Sequence, residues 1–382
     1  MLFISYVIIF IFMDKELIKA LEVLDENNPY ATFLSNSSLS RVDKWFSTGS
    51  YMLDALISGK FVGGGIPSGR LTMLYGESMT YKSSIIQKVL ANAQKAGLTP
   101  VIFDTENAID DEGAKRLGLD TTKVKYIPTF NIEKCRNDIF KFLNVVKEKG
   151  LEGKFIIAID SLGNLQSAME TTRMEKDSSS MDMGSRARAI GSLLTTCTQL
   201  AGLTKTPIII TNHTYDNPGE MHPTLIKNMP GGKKCVYLPS VSVQLMRKPV
   251  KADAVKSNAG DLAAGQRNYV GIIIRALTAK NRFIKQYLEG ELFISFSNGA
   301  DKYHGLLDLA VELGVIQQAG ATYSIDGEKL GYAKTFSDNA EFWENRIIPL
   351  MQKKVDVNWA YSSAQDTEIK NMEIEASNEE SE

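Results

Sequence analysis

Lys82, Ser83, Glu106 and Asp160 are the residues whose types and spacing fit chemistry on a triphosphate. Lys82 lies six residues after Gly76 in the run GESMTYKSS, where a phosphate-binding loop places its lysine on the β/γ oxygens. A triphosphate also needs inward-pointing backbone N–H groups and the positive end of a helix dipole. The expected ATP cradle is therefore Gly76, Glu77, Ser78, Met79, Thr80, Tyr81, Lys82, Ser83 and Ser84, with the Ser83 hydroxyl as a Mg²⁺ ligand. Tyr81 stands where the motif has its second glycine, and the cradle is expected to survive that change if φ there is negative. The apolar run 155–159 ends in Asp160, a second Mg²⁺ contact through water. PVIFDTE ends in Asp104 and Glu106, and a carboxylate at a strand end beside a phosphate loop can orient an attacking water. An apolar strand ending in Asp is common. In series with Lys82 and Glu106 it becomes a constellation.

The elements that must position these groups alternate between two periodicities. Leu71–Tyr75 reads as a buried strand, and Ile85, Ile86, Val89, Leu90 and Ala93 recur at helical spacing before Gly97. Further strands are expected through Val101, over Phe155–Ile159 and over Thr206–Asn212, with a helix over Asn131–Lys149. VSVQLMRKPV and YVGIIIRALTAKNRF read as paired strands flanking a polar, hairpin-like excursion at 250–268. Strands alternating with helices predict an α/β fold with a mainly parallel sheet.

The 382 residues are 43% hydrophobic and 23% charged, as in a globular protein with one large α/β core and appendages or with two modest domains. A net charge of −2 gives no global case for nucleic acid, so any such site must be a local basic patch. Cys135, Cys197 and Cys235 suit neither a disulfide framework nor a zinc ribbon, which points to a reducing compartment. His213, His222 and His304 form no HExxH pair, which argues against a catalytic transition metal. Residues 1–12 are short for a transmembrane helix and lack a basic n-region, so they read as a leader or a mis-assigned start upstream of Met13; a membrane anchor is the alternative. Residues 13–45 comprise a short amphipathic helix, with Leu17, Ile18, Leu21 and Leu24 on one face, and a polar linker. Beyond Ser362 the chain is polar and acidic, as a disordered tail would be.

The run STGS, then Leu53-Asp54, the glycines before Ile66-Pro67, and Gly69-Arg70 leading into the phosphate loop resemble the RecA family of recombinases. An aromatic at Tyr81 resembles the phage branch typified by UvsX. The resemblance covers about Ser47 to Val355 and implies a RecA-type P-loop core over 46–298, an N-terminal oligomerisation helix and a small C-terminal domain over 299–361. It assigns Glu106 as catalytic base and puts His213 where the family senses the γ-phosphate. Gly113 falls where the family's adenine-stacking tyrosine stands. Aperiodic stretches at about 166–185 and 214–235 match the two DNA-binding loops. Arg186, Arg188, Lys227, Lys233 and Lys234 are their candidate phosphate contacts, with Gly231 and Gly232 as pivots. Lys280 and Arg282 match cations supplied in trans to the ATP of an adjacent subunit.

The expected protein is an ATP- and Mg²⁺-dependent recombinase that forms filaments on single-stranded DNA and exchanges strands with a duplex. It would work in a bacterial or phage-infected cytoplasm, off the membrane, with a single-strand-binding protein and a loader as partners. Two alternatives are a RecA-like hexameric motor or regulatory ATPase, and a nucleotide-gated DNA coat without significant hydrolysis.

Overall fold

A computed structural model describes residues 15–175, 183–215, 226–248, 254–256 and 269–361. The expectations for residues 1–14, for the loop segments 176–182 and 216–225, for most of the 250–268 excursion and for the tail from 362 lie outside these residues. The chain forms two compact units, residues 1–42 and 43–382. In the first, helix α1 (Lys15–Asn27) exposes Leu17, Leu21 and Leu24.

In the second unit, β1 (Trp45–Phe46) pairs antiparallel with β2 (Ile66–Pro67), and helix α2 (Tyr51–Ser58) lies between them in sequence. The STGS run wraps around Asp54: its buried carboxylate accepts from Ser47 Oγ at 2.5 Å, Thr48 N at 2.7 Å and Thr48 Oγ1 at 2.7 Å. Burial still holds the Asp54 pKa up at about 6. This motif is a structural clasp.

The central sheet contains β3 (Leu71–Gly76), β4 (Thr99–Asp104), β5 (Lys125–Pro128), β6 (Phe155–Asp160), β7 (Ile208–His213) and β8 (Val241–Arg247), all mutually parallel. β9 (Ala254–Lys256), β10 (Tyr269–Asn281), β11 (Glu289–Ser295) and β12 (Gly299–Ala300) extend it antiparallel. The order is β12-β11-β10-β8-β3-β7-β6-β4-β5, with β9 on β10.

The parallel strands β3, β4, β6 and β7 are mostly apolar because both their faces are covered. Leu74, Ile102, Ile156, Ala158 and Ile209 point into one core, which receives Ile85, Ile86, Val89, Leu90 and Ala93 of α3 (Lys82–Lys95). Met73, Tyr75, Phe103, Ile157, Ile159 and Ile210 point into the other. There they meet Cys135, Ile139 and Leu143 of α5 (Ile132–Glu148) and Ile190, Leu194 and Cys197 of α7 (Met183–Thr204). Between these elements lie α4 (Asp111–Arg116) and α6 (Ala168–Glu175). The period of two on the strands and near 3.6 on the helices thus closes two cores around one sheet.

Helix α6 overturns the expectation of an aperiodic stretch from 166. Ser167-Ala-Met-Glu170 is a capping box: Ser167 N donates to Glu170 Oε2 at 2.7 Å and Glu170 N to Ser167 Oγ at 3.2 Å. Helix α8 (Lys234–Tyr237) lies between β7 and β8 in sequence, and beyond β12 the chain carries α9 (Leu306–Glu312), a three-stranded sheet of β13 (Gln317–Ala319), β14 (Thr322–Ile325) and β15 (Glu328–Tyr332), and α10 (Ile348–Asn358). Phe342–Ile347 forms a π-helical segment that runs directly into α10, and Pro349, whose missing N–H suits a helix start, lies at the first turn of that helix.

Candidate active site

Four parallel strands deliver their C-terminal ends to one place, as ligand sites of open α/β sheets require. In the register, Gly76 of β3 faces His213 of β7, and Asp104 of β4 faces Asp160 of β6. The phosphate loop therefore begins beside His213, and the carboxylates end side by side.

Gly76 admits no side chain, since a Cβ there would stand 2.1 Å from the Leu245 carbonyl oxygen of β8. The loop then turns through positive φ at Met79 (63°) and Tyr81 (57°). The condition set for the cradle, a negative φ at Tyr81, is not met: the tyrosine adopts the left-handed conformation that a glycine takes freely, at a cost of roughly 1–2 kcal/mol. Its ring stacks on Phe296, centroids 5.8 Å apart and planes inclined by 23°, and such contact offsets part of that cost.

Lys82, the first residue of α3, is 7% exposed. Its Nζ donates to Gly76 O at 3.0 Å, Glu77 O at 2.8 Å and Thr80 Oγ1 at 3.3 Å, folding the lysine back over its own loop. Burial lowers its pKa, against the charges of Asp160, Glu106 and Glu77.

The two acids at the end of β4 have different work. Asp104 is 1% exposed, and its oxygens accept from the backbone N–H groups of Glu106 (2.9 Å), Asn107 (2.9 Å) and Ile109 (3.2 Å) and from Tyr126 OH (3.1 Å). It builds the turn that carries Glu106. Glu106 faces the site, where Oε1 accepts from Ser161 Oγ at 2.7 Å and Asn164 Nδ2 at 2.6 Å and lies 3.1 Å from His213 Nε2. Ser161 and Asn164 were not among the residues expected from the sequence.

Asp160 accepts from Thr211 Oγ1 and from the Ser83 hydroxyl, and burial raises its pKa. A hydroxyl and a carboxylate within hydrogen-bonding reach, beside a phosphate cradle, fit Mg²⁺, which keeps several waters and takes few protein ligands. Gly113, which stands in place of the family's adenine-stacking tyrosine, lies within α4, where its N–H donates to Asp110 Oδ2 at 2.7 Å and it offers no ring to a base. The aromatic surface beside the loop is Tyr81 and half-exposed Phe296.

The DNA candidates are divided by their surroundings. Lys233 and Lys234 are exposed beside Gly231 and Gly232, which both have positive φ. Arg188 is exposed on α7, whereas Arg186 is half-buried and donates to the Gly163 carbonyl. Lys227 forms an ion pair with Glu77 of the phosphate loop. Lys280 and Arg282 (3.2 Å) both donate to the Tyr237 carbonyl. Lys280 is opposite Ser242, itself opposite Met73, three residues short of Gly76. At about 3.3 Å per residue and 4.8 Å per strand, its backbone is on the order of 14 Å from the phosphate loop of its own chain.

Comparison with known proteins matches the RecA N-terminal domain family over residues 17–301. The chain belongs to the RecA family. It is 30% identical to Protein RecA of Streptomyces rimosus over 276 residues, 72% of this chain and 68% of that one. It is 30% identical to Protein RecA of Streptomyces coelicolor over 292 residues, covering 76% and 71%. With Protein RecA of Cytophaga hutchinsonii the identity is 28% over 313 residues, covering 80% and 81%. The RecA-type P-loop core and a part in DNA recombination and repair follow from this membership. These relatives are bacterial, and they do not show the nearness to the phage branch that the resemblance implied. Among the described residues no helix is long and apolar enough to cross a membrane.

Proposed function

We propose that this RecA-family chain is a DNA-dependent ATPase that polymerises on single-stranded DNA and exchanges strands with a homologous duplex. The observation that carries it is the convergence of Glu106 and His213 at 3.1 Å, because His213 opens the segment whose far end holds Lys233 and Lys234. One residue thereby touches the base and begins the basic loop.

In this reading the amides of residues 76–84 bind the triphosphate, and Lys82 leaves its loop carbonyls to meet the β/γ oxygens. Mg²⁺ held near Ser83 and Asp160 supplies charge neutralisation to the phosphates. Glu106 accepts a proton from the attacking water. Lys280 and Arg282 complete the site of the next copy, as arginine fingers do, which ties hydrolysis to assembly. Arg186, Arg188, Lys233 and Lys234 hold DNA phosphates, and the ring of Tyr81 or Phe296 faces the base. The protein would act in the cytoplasm, with a single-strand-binding protein and a loader supporting its filaments.

The test is negative-stain microscopy with and without ATP and single-stranded DNA, alongside phosphate release. Helical filaments that need both ligands, with multiple-turnover hydrolysis stimulated by DNA, support the reading. Closed rings would favour a hexameric motor, and filaments without turnover a coat protein.

A further inference from the structure

Lys227 is tied to the phosphate loop although it belongs to the basic segment after β7. Its ammonium pairs with the Glu77 carboxylate, and the two side chains are 24% and 45% exposed. Its backbone N–H donates to Gln244 Oε1 at 2.8 Å, and Gln244 is fully buried on β8 opposite Tyr75. The neighbouring stem is closed by Tyr215 N to Asn228 O at 3.0 Å and by Asn212 Nδ2 to Pro230 O at 2.9 Å. Lys227 is thus held in a braced stem and directed toward Glu77.

Glu77 is one residue beyond Gly76, and its own carbonyl accepts from Lys82 Nζ at 2.8 Å and Thr80 Oγ1 at 2.9 Å. A carboxylate at this point opposes a triphosphate unless a cation neutralises it. We propose that Lys227 is a positioning residue for ATP: it neutralises and orients Glu77, so that the phosphate loop accepts the triphosphate only while the stem of the basic loop is seated. The ammonium then serves the nucleotide site and makes no DNA phosphate contact. Because the stem continues into the loop assigned to DNA, ATP affinity becomes linked to the position of that loop. This inference rests on the ATPase reading above.

The experiment measures KM for ATP, kcat and the salt dependence of single-strand binding in the full-length chain. Lys227→Gln is expected to raise KM about three- to tenfold with kcat changed less than about twofold. Lys227→Arg should keep KM near the starting value. Glu77→Gln/Lys227→Gln should bring KM back to within about twofold, since the charge needing neutralisation is gone; a merely structural lysine predicts no such rescue. An unchanged KM in Lys227→Gln, or no rescue in the double variant, overturns the proposal. So does a fall of about 0.7 in the salt slope of DNA binding, the signature of a lost single-strand phosphate contact. If the unaltered protein neither binds nor hydrolyses ATP, the function proposed above fails too. If it turns over and only the variants behave otherwise, this inference alone fails.

Discussion

His213 Nε2 lies 3.1 Å from Glu106 Oε1, joining the last residue of β7 to the carboxylate at the end of β4. The same oxygen accepts from Ser161 and Asn164, so these groups hold the carboxylate in place. Glu106→Gln is expected to lower kcat by about 10²- to 10⁴-fold, the usual worth of a general base, while ATP still binds. His213→Asn should leave ATP binding intact and remove most of the stimulation by single-stranded DNA. Steady-state phosphate release and nucleotide titration check both; normal turnover in Glu106→Gln would remove it from the role of base.

Lys280 makes a pH prediction. Burial, and then the charge of Arg282, bring its pKa down from 10.5 to about 8. Its charge is present below that value and lost above it, so DNA-stimulated hydrolysis should decline as pH rises through about 8. Lys280→Arg should hold activity to higher pH, because a guanidinium stays protonated. Stability follows the opposite sign: between about 8 and 10.5 the unfolded chain binds more protons at this site, so its contribution to stability grows as pH rises. A flat activity profile from pH 7 to 9.5 would argue that Lys280 touches no phosphate.

Tyr81 tests the backbone of the phosphate loop. Since φ is 57° there, Tyr81→Gly should be more stable than Tyr81→Ala by roughly 1 kcal/mol, the difference in left-handed strain. Denaturant unfolding of the two variants measures this directly. Equal stabilities would mean that the loop relaxes to negative φ.

Lys233→Ala/Lys234→Ala should weaken single-strand binding and reduce the salt slope by about 1.4, about 0.7 for each lost phosphate contact. KM for ATP should hold within about twofold, because neither lysine contacts Gly76–Ser84 by any described hydrogen bond or ion pair. Parallel losses in DNA and ATP binding would mark them as structural.

Asp104→Ala removes the acceptor of three backbone N–H groups and the Tyr126 hydroxyl. Leaving those donors unpaired should destabilise the protein by about 2–4 kcal/mol and lower kcat as Glu106 loses its seat. Thermal unfolding and turnover should therefore fall together, whereas Glu106→Gln should lower turnover alone.

Much of the site was legible because its residues end apolar runs. Leu71–Gly76, Thr99–Asp104, Phe155–Asp160 and Ile208–His213 each announce a buried strand, and each stops at a residue of the site. The resemblance singled out Glu106, but the structural part of Asp104 was not legible, since either acid suits a strand end and only the loop's hydrogen bonds show which is consumed. Helix α6 was overlooked although Ser167-x-x-Glu170 is a local signal. Phe296 is 215 residues from Tyr81, and no local pattern joins them.

By itself the amino-acid order determined the alternation of strands and helices, the mainly parallel sheet and the identity of Lys82, Ser83, Glu106 and Asp160, because periodicity and motif spacing act over a few residues. Tertiary structure decided what those residues touch: His213 on Glu106, Lys227 on Glu77, Phe296 on Tyr81. Each pair is brought together by strand order across the sheet or by the path of a long loop. Contacts of that kind depend on three-dimensional register, which short-range patterning does not encode.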